Sequence, residues 1–295
     1  MKKQPIFTGV CSALITPTNE NGIDFDAFGK LIDWQISEGI NALAIASTTG
    51  EKSTFDNDEH KKLLAFATEH INGRVPVIAT TGSNDTAHAV SMSVEACNYD
   101  VDALLCVTPY YNKCTQGGLV ESFYKIADAS TKPIIVYNVP SRTGVNIEPE
   151  TYAKLGEHEN ILAVKEANGN ISKIVESFAV AGDKLDIYSG NDDQIIPILS
   201  MGGKGVISVL SNPMPRQAVE MVQKFFDGDV AGAAELQKKY LPLINALFSE
   251  VNPIPVKAAM AKMGFCENYL RLPLTKLTEK NEAILFELMR KENLI

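Results

Sequence analysis

Eight short apolar runs recur along the chain at intervals of roughly 30 residues, and this repetition constrains the fold more than any other feature. The runs are Gly9–Thr16, Ala42–Ser47, Val75–Thr80, Ala103–Thr108, Pro133–Tyr137, Ile161–Lys165, Leu185–Ser189 and Gly205–Val209. Most are apolar throughout instead of alternating, which is typical of strands buried on both faces. The pattern predicts a parallel sheet that is covered by helices.

Most gaps between the runs carry helical patterns. In Asp24–Gly39, apolar residues fall at three- and four-residue spacing, with Asp24 as a candidate N-cap and Gly39 as a candidate residue after the C-cap. In Asp56–His70, Asp56 and Glu59 resemble a capping box. Similar patterns cover Asn84–Asn98, Gly118–Ser130, Pro149–Gly156 and Asn170–Ala181. The alternation predicts an α/β fold, the (β/α)8 TIM barrel.

A C-terminal helical extension follows the predicted barrel. Ala231–Phe248, Pro253–Met263 and Thr278–Lys291 have helical patterns, and X-Pro pairs separate them. We expect a catalytic barrel at residues 1–228 and the extension at residues 229–295. A doubly wound open sheet is the structural alternative, but no G-x-G-x-x-G follows the first run and composition does not change halfway.

The composition limits the partners. Of 295 residues, 45% are hydrophobic, so a large core can be buried, and the formal net charge is −9. An acidic chain repels phosphate backbones and anionic membranes, so we expect no nucleic acid and no membrane partner. A small anionic substrate remains possible where a pocket supplies positive charge.

The five cysteines and the lack of long apolar segments indicate a cytoplasmic protein. Cys11, Cys97, Cys106, Cys114 and Cys266 form no C-x-x-C pair, which is typical of a reducing compartment. No stretch reaches the roughly 18 apolar residues that span a bilayer, and the N-terminus has no signal-peptide pattern.

The chemistry of a TIM barrel lies at the C-terminal ends of its strands. The residues there are Thr48-Thr49-Gly50-Glu51, Thr80-Thr81-Gly82, Pro109-Tyr110-Tyr111-Asn112, Tyr137-Asn138, Lys165-Glu166, Gly190-Asn191-Asp192 and Ser208. Small polar groups, phenols and one lysine are typical of a substrate pocket and not of a metal site.

Lys165 is the candidate nucleophile. It ends an apolar run, where desolvation favours the neutral amine that attacks a keto group to form an imine. By position alone, a solvated lysine at the start of a loop is an equally good interpretation.

Four other residues have candidate roles, each with a structural alternative. The phenol of Tyr137 could carry protons, or it could be a tyrosine at the barrel rim. Thr48 and Thr49 offer hydroxyl and amide groups to a carboxylate, or they form an ordinary turn. Arg142 suits a second carboxylate, or it is a surface loop arginine.

Rival chemistries have weaker support. The four histidines lie in predicted helices or at their ends, so we expect no metal site and no cofactor. Gly202–Gly205 precedes the eighth run, at the wrong end of the barrel for a substrate phosphate. Apart from Glu51, Glu166 and Asp192, no paired acidic residues lie at successive strand ends, so a glycosidase has weak support.

Several motifs together resemble the dihydrodipicolinate synthase family, over essentially the whole chain. They are residues 9–17, Thr48–Glu51, Thr108–Asn112, Tyr137–Gly144, Val164–Ala167, Gly205–Val209, Asn252–Lys257 and Arg271–Pro273. The segment Tyr137–Thr143 is the most specific. The Thr-Thr-Gly-Glu motif and Lys165 are shared with the wider N-acetylneuraminate lyase superfamily, so a lyase of that type or a keto-deoxy-sugar-acid aldolase is the alternative enzyme.

The resemblance implies a reaction and its residues. It implies condensation of pyruvate with L-aspartate 4-semialdehyde in the diaminopimelate pathway to lysine, with Lys165 forming the imine and Tyr137 moving protons. Thr48 would link Tyr137 to Tyr111 of a neighbouring subunit in a homotetramer, a dimer of dimers.

The resemblance also implies the residues that bind substrate. Thr49, Ile207 and Gly190 would contact pyruvate, and Arg142 the semialdehyde carboxylate. A barrel without catalysis is disfavoured, because the lysine, the tyrosines and Thr48 are all retained.

The chain departs from the family pattern at several positions. Ser47 stands where glycine is usual, and Asn191 where aspartate is frequent. At the positions that bind the effector lysine in sensitive relatives, His88 replaces a glutamate, Lys52 a serine and Asn57 a histidine, whereas His60, Asn84 and Tyr110 remain. We therefore expect weak or absent inhibition by lysine.

Overall fold

The computed structural model describes residues 4–295 and contains the predicted parallel barrel. The strands are β1 Gly9–Ala13, β2 Thr18–Asn19, β3 Gly22–Ile23, β4 Ala42–Ile45, β5 Val77–Thr80, β6 Ala103–Val107, β7 Ile134–Asn138, β8 Ile161–Glu166, β9 Asp186–Ser189 and β10 Gly205–Ser208. All but β2 and β3 form a closed barrel in the order β1-β10-β9-β8-β7-β6-β5-β4. The (β/α)8 prediction is confirmed.

The barrel strands form where the sequence is apolar on both faces. Every residue of β1, β4, β5, β7, β9 and β10 is buried. A strand with the barrel interior on one face and helices on the other has no solvated face, so alternation is absent.

Helices fill the gaps between strands and the C-terminal region. They are α1 Phe25–Ser37, α2 Asn57–Ile71, α3 Thr86–Ala96, α4 Gln116–Ala129, α5 Pro140–Thr143, α6 Pro149–Leu155, α7 Ile171–Ala181, α8 Ile195–Ser200, α9 Pro215–Phe226, α10 Val230–Leu247, α11 Ile254–Lys262 and α12 Glu279–Lys291. The predicted caps are confirmed: Asp24 accepts from the Ala27 amide at 2.9 Å, and Asp56 and Glu59 form the capping box. Among residues 4–295, no helix has the length and hydropathy to cross a bilayer.

The chain divides into two compact units. The first unit consists of Pro76–Ile207 with the described part of Met1–Thr8, and the second unit consists of Gly9–Val75 with Ser208–Ile295. The expected boundary near residue 228 separates a barrel from helices by element type, and it stays a prediction.

In the first unit, Asn160 fixes the start of β8. Its side-chain amide donates to the carbonyls of Ala127, Ser130 and Lys132 at 3.1, 2.9 and 3.0 Å. Because β8 carries Lys165, these bonds fix the strand at the end opposite to the candidate nucleophile.

In the second unit, Asn212 fixes the end of β1. Its Oδ1 accepts from the Ile15 amide at 3.0 Å, and its Nδ2 donates to the Ala13 carbonyl at 2.9 Å. The buried Gln35 of α1 donates to the carbonyls of Ser211 and Asn212, both at 3.0 Å. The Asn212 side chain thus provides hydrogen-bond partners for the backbone groups of Ala13 and Ile15 where β1 ends.

Several elements were not predicted. The hairpin β2–β3 has two residues per strand, too few for any periodicity to appear. The helix α5 is a single turn with Pro140 at its start. Between β9 and β10, α8 is apolar on most faces, so it has no amphipathic pattern to detect.

Candidate active site

Lys165 and Tyr137 lie side by side on neighbouring strands. They are register partners of β8 and β7, so both side chains project from the same face. The Lys165 Nζ lies 4.4 Å from the centroid of the Tyr137 ring. The structure therefore brings together the candidate nucleophile and the candidate proton carrier.

Both side chains are shielded from water. Lys165 is 5% exposed and Tyr137 is 7% exposed. An amine in such surroundings reacts as a nucleophile once neutral, and the aromatic ring favours a positive charge on the same nitrogen. A carbonyl carbon placed at Nζ can thus form an imine, and the resulting iminium charge would lie over the ring.

Glu166 projects from the opposite face of β8 and is almost fully buried. Its Oε1 accepts from Asn138 Nδ2 at 3.0 Å and from the Asn168 amide at 2.8 Å. Its Oε2 accepts from the Tyr152 hydroxyl at 2.5 Å. Burial raises the pKa of Glu166 to about 7, and these three donors, the tyrosine first, partly offset that rise.

The tyrosine of this cluster is perturbed in the same direction. Tyr152 of α6 is fully buried, and burial together with the Glu166 charge raises the pKa of its phenol well above the usual value. Tyr152 therefore stays a hydrogen-bond donor to the carboxylate throughout the neutral range.

Arg142 lies on the single turn α5 that follows β7, and it is exposed. Thr143 shapes the turn: its hydroxyl donates to the Val145 carbonyl at 3.0 Å. Gly144, with φ of 71°, donates to the Pro140 carbonyl at 2.9 Å. A left-handed residue is needed here to end the turn, and glycine adopts that conformation without strain.

Gly190 follows β9 at a point where no side chain fits. An added Cβ would lie 2.7 Å from the Ala167 Cβ and 3.0 Å from the Glu166 carbonyl oxygen. The Gly190 amide donates to that same carbonyl at 2.7 Å. Glycine therefore allows the ends of β8 and β9 to meet.

Ile207 is fully buried in β10, directly after the residues of that strand that pair with β9.

In the second unit, Thr48 and Thr49 lie in the tight loop after β4. The Glu51 amide donates to the Thr48 carbonyl at 3.2 Å, and Glu51 itself has a left-handed φ of 58°. The Thr16 hydroxyl donates to the Gly50 carbonyl at 2.9 Å. Ser47, which stands where glycine is usual in the family, is buried within this loop.

Residues of the C-terminal helical region hold this loop. Asn252 Nδ2 donates to the Thr49 hydroxyl oxygen at 3.1 Å. Lys257 Nζ lies 2.7 Å from Glu51 Oε1 and also donates to the Thr16 carbonyl at 2.8 Å and the Thr18 hydroxyl at 3.0 Å. Lys257 and Glu51 form an ion pair with side chains 0% and 1% exposed.

Tyr111 projects away from the surface of the chain. It is 91% exposed and has a left-handed φ of 71°. The neighbouring Asn112 holds the loop, donating through Nδ2 to the Asn84 carbonyl at 2.9 Å.

Four residues that hold the predicted site residues have no role that the sequence pattern indicates. They are Asn138, Tyr152, Asn252 and Lys257. For Lys257 a signal existed, since it is the one charge inside the apolar helix start Ile254–Met260. Within the part of the chain that the structure describes, no group of three or more His, Cys, Asp or Glu residues could hold a metal ion.

The chain matches one protein family and several curated relatives over nearly its whole length. The model of the dihydrodipicolinate synthetase family matches residues 6–291. A 4-hydroxy-tetrahydrodipicolinate synthase from Acetivibrio thermocellus is 50% identical over 293 residues, 99% of this chain and 100% of the relative. The enzyme of the same name from Caldicellulosiruptor saccharolyticus is 54% identical over 282 residues, 95% of each chain.

Solved structures agree with the sequence relatives. The dihydrodipicolinate synthase from Thermotoga maritima is 40% identical with a TM-score of 0.96, covering 99% of this chain and 100% of its own. The chloride-inhibited enzyme from Acinetobacter baumannii, solved in complex with pyruvate, is 37% identical with a TM-score of 0.95, covering 98% and 99%.

Proposed function

Because the chain belongs to the dihydrodipicolinate synthetase family, we propose that it condenses pyruvate with L-aspartate 4-semialdehyde to 4-hydroxy-tetrahydrodipicolinate, a step toward diaminopimelate and lysine. The observation that carries the proposal is the buried Lys165 amine over the Tyr137 ring at the ends of two paired strands. The protein would be a lyase that forms a Schiff base.

The chemistry begins at Lys165. Its neutral amine attacks the keto carbon of pyruvate, and the carbinolamine loses water to give an iminium ion. Loss of a proton from the pyruvate methyl group gives an enamine, whose carbon attacks the aldehyde of the second substrate. Tyr137, with its phenol beside Nζ, is the group we propose to give and take the protons of these steps.

Other residues bind and relay. Thr48 and Tyr111 would continue the proton path from Tyr137, with Tyr111 supplied by a neighbouring subunit. Thr49 would hold the pyruvate carboxylate, because its hydroxyl oxygen accepts from Asn252 and its own proton remains for a second acceptor.

The strand ends and the turn α5 complete the proposed binding site. Ile207 and Gly190 would border pyruvate with backbone groups, since a side chain at Gly190 has no room. Arg142, exposed on its turn, would pair with the carboxylate of the semialdehyde.

Cleavage of a sugar acid is the alternative activity. A polyol chain needs hydroxyl-binding partners, whereas Arg142 offers a cation suited to a carboxylate. The names of the relatives at about 50% identity also favour the synthase.

We also propose a cytoplasmic homotetramer, a dimer of dimers. Tyr111 is 91% exposed in the single chain, which is unusual for a tyrosine with a proposed catalytic role. Ile171 and Val175 are exposed on one face of α7, and Met201, which follows α8, is also exposed. Exposed apolar side chains of this kind support a further subunit contact. Native mass spectrometry would test the tetramer.

Trapping with borohydride tests the central step. Incubation with pyruvate and borohydride should add one reduced pyruvate to the peptide that holds Lys165. Lys165→Ala should abolish the adduct, and Lys173→Met, which removes an exposed lysine of α7, should keep it. Unmodified wild-type protein, or activity lost to a chelator, would contradict the mechanism.

A further inference from the structure

The two strands that carry Lys165 and Tyr137 also carry a buried polar cluster on their opposite face. Tyr137 pairs with Lys165 in the register, and the next pair is Asn138 with Glu166. Successive strand residues project to opposite faces, so Asn138 and Glu166 face the helix layer. Asn138 directly follows Tyr137 on β7, and Glu166 directly follows Lys165 on β8. A shift of the second pair therefore moves the first pair.

The Glu166 carboxylate accepts from every group around it. Donors are the Tyr152 hydroxyl at 2.5 Å, the Asn168 amide at 2.8 Å and Asn138 Nδ2 at 3.0 and 3.3 Å to the two oxygens. A side chain that is 1% exposed with both oxygens occupied has a single orientation.

Asn138 connects this carboxylate to the segment that carries Arg142. Its Oδ1 accepts from the Ile147 amide at 3.2 Å, and its Nδ2 donates to Asn146 Oδ1 at 2.9 Å. Arg142 lies between these contacts and β7, so both ends of its segment are fixed by one asparagine.

We propose that Glu166 is a positioning residue of the condensation, and that with Tyr152 and Asn138 it sets the relative placement of the two substrate-binding groups. These groups are Lys165 on its own strand and Arg142 on the segment that Asn138 holds. The inference rests on the proposed function, because it concerns the geometry of an imine at Lys165.

The cluster requires the charged form of Glu166. All surrounding groups are donors, so a protonated carboxyl must give up at least one bond or force a donor to turn. The pKa of about 7 places that change within the working range of an enzyme. The titratable groups that face the carboxylate are Tyr152 and, beyond it, Glu148 at the start of α6, whereas Lys165 lies on the other face of the strand.

The test compares pH profiles of kcat for three variants in the full-length protein. We expect wild-type kcat to fall below about pH 7. Tyr152→Phe removes a donor that lowers this pKa, so the acidic limb should move up by about one pH unit. Glu166→Gln should remove the limb and lower kcat by roughly 10- to 100-fold, since small misplacements are costly, with little change in KM for pyruvate.

Tyr124→Phe is the matched control. Its hydroxyl donates to the Lys154 carbonyl of the same helix α6 at 2.7 Å, away from Glu166. If a general loss of packing around α6 moved the acidic limb of the kcat profile, the limb of Tyr124→Phe would move as well. The proposal expects the limb of this variant to stay where it is in the wild type.

Two results would overturn the proposal: an unmoved limb in folded Tyr152→Phe, or wild-type kcat in Glu166→Gln. If Glu166→Gln does not fold, Tyr152→Phe alone decides. Turnover of pyruvate with L-aspartate 4-semialdehyde by the wild type separates this failure from a wrong function. A wrong function removes that turnover, whereas a wrong positioning role for Glu166 leaves it intact.

Discussion

Replacing Lys257 by methionine removes a cation from the interior of the second unit and leaves a carboxylate behind. Lys257 uses all three ammonium donors, on Glu51 at 2.7 Å, the Thr16 carbonyl at 2.8 Å and the Thr18 hydroxyl at 3.0 Å. Methionine preserves length and volume, so the change isolates the charge. Glu51 also accepts from the Arg271 amide, but at 3.4 Å from Oε2 this hydrogen bond is weak.

The expected cost follows from burial. Both side chains are at most 1% exposed, and breaking such a pair by removing one partner costs roughly 3–5 kcal/mol. Adding Glu51→Gln removes the orphaned charge, so the double variant should regain part of the loss. Its remaining cost should be about 1–3 kcal/mol, because the Thr16 carbonyl still lacks a donor.

The assay is urea unfolding followed by circular dichroism at fixed protein concentration, since assembly also affects the midpoint. Lys262→Met is the matched control: this exposed lysine lies on the same helix α11, and the change should stay within about 0.5 kcal/mol. The reasoning is refuted if Lys257→Met costs no more than Lys262→Met. It is equally refuted if the double variant is less stable than Lys257→Met alone.

Four further predictions concern substrate binding, regulation and stability. Arg142→Ala should cost roughly 2–4 kcal/mol in kcat/KM for the semialdehyde while pyruvate trapping survives; equal loss of trapping would contradict its role. Gly190→Ala should destabilise by about 1–3 kcal/mol, measured by urea unfolding, because the new Cβ would lie 3.0 Å from the Glu166 carbonyl; an unchanged midpoint would argue against that crowding. Millimolar lysine should hardly slow the enzyme, and Lys52→Ser with His88→Glu should create sensitivity; strong inhibition of the wild type at lower concentration would show the prediction to be wrong. Burial raises the pKa of Glu166 on folding, so holding the charged carboxylate in the cluster costs free energy of folding, and stability falls as pH rises from 4.5 to about 7. Relative to Glu166→Gln, wild-type stability should therefore fall by roughly 3 kcal/mol over that window in urea titrations, and a constant difference would refute the assignment.

The barrel could be predicted from sequence because each strand is buried on both faces and its residues show it. β4, β5 and β10 are short, yet every residue is buried, and apolar runs of this kind are visible without any other information. Caps such as Asp24 and Asp56 are equally visible because their partners lie within three residues.

The candidate site was predicted only in part, for a reason of distance along the chain. Lys165 and Tyr137 end recognisable strands, so their position made them candidates, and the resemblance to the family implied their roles. The contacts behind the site residues join distant positions. Tyr152 and Glu166, 14 positions apart, lie behind the strands of Lys165 and Tyr137, and Lys257 and Glu51, 206 positions apart, hold the loop of Thr48 and Thr49. No local pattern encodes such pairs, since they form only after strands and helices have packed.

The bond from Asn252 to Thr49 has a consequence for how this fold can be recombined. A helical segment that begins after the last strand is an attractive point for exchanging parts between homologous enzymes. In this chain the exchange would also replace the donor to a proposed carboxylate-binding hydroxyl and, at Lys257, the counterion of the loop that carries it. Chimeras joined near residue 228 should therefore inherit their affinity for pyruvate from both parents, and libraries that vary the two segments independently would contain few active members unless these contacts are kept together.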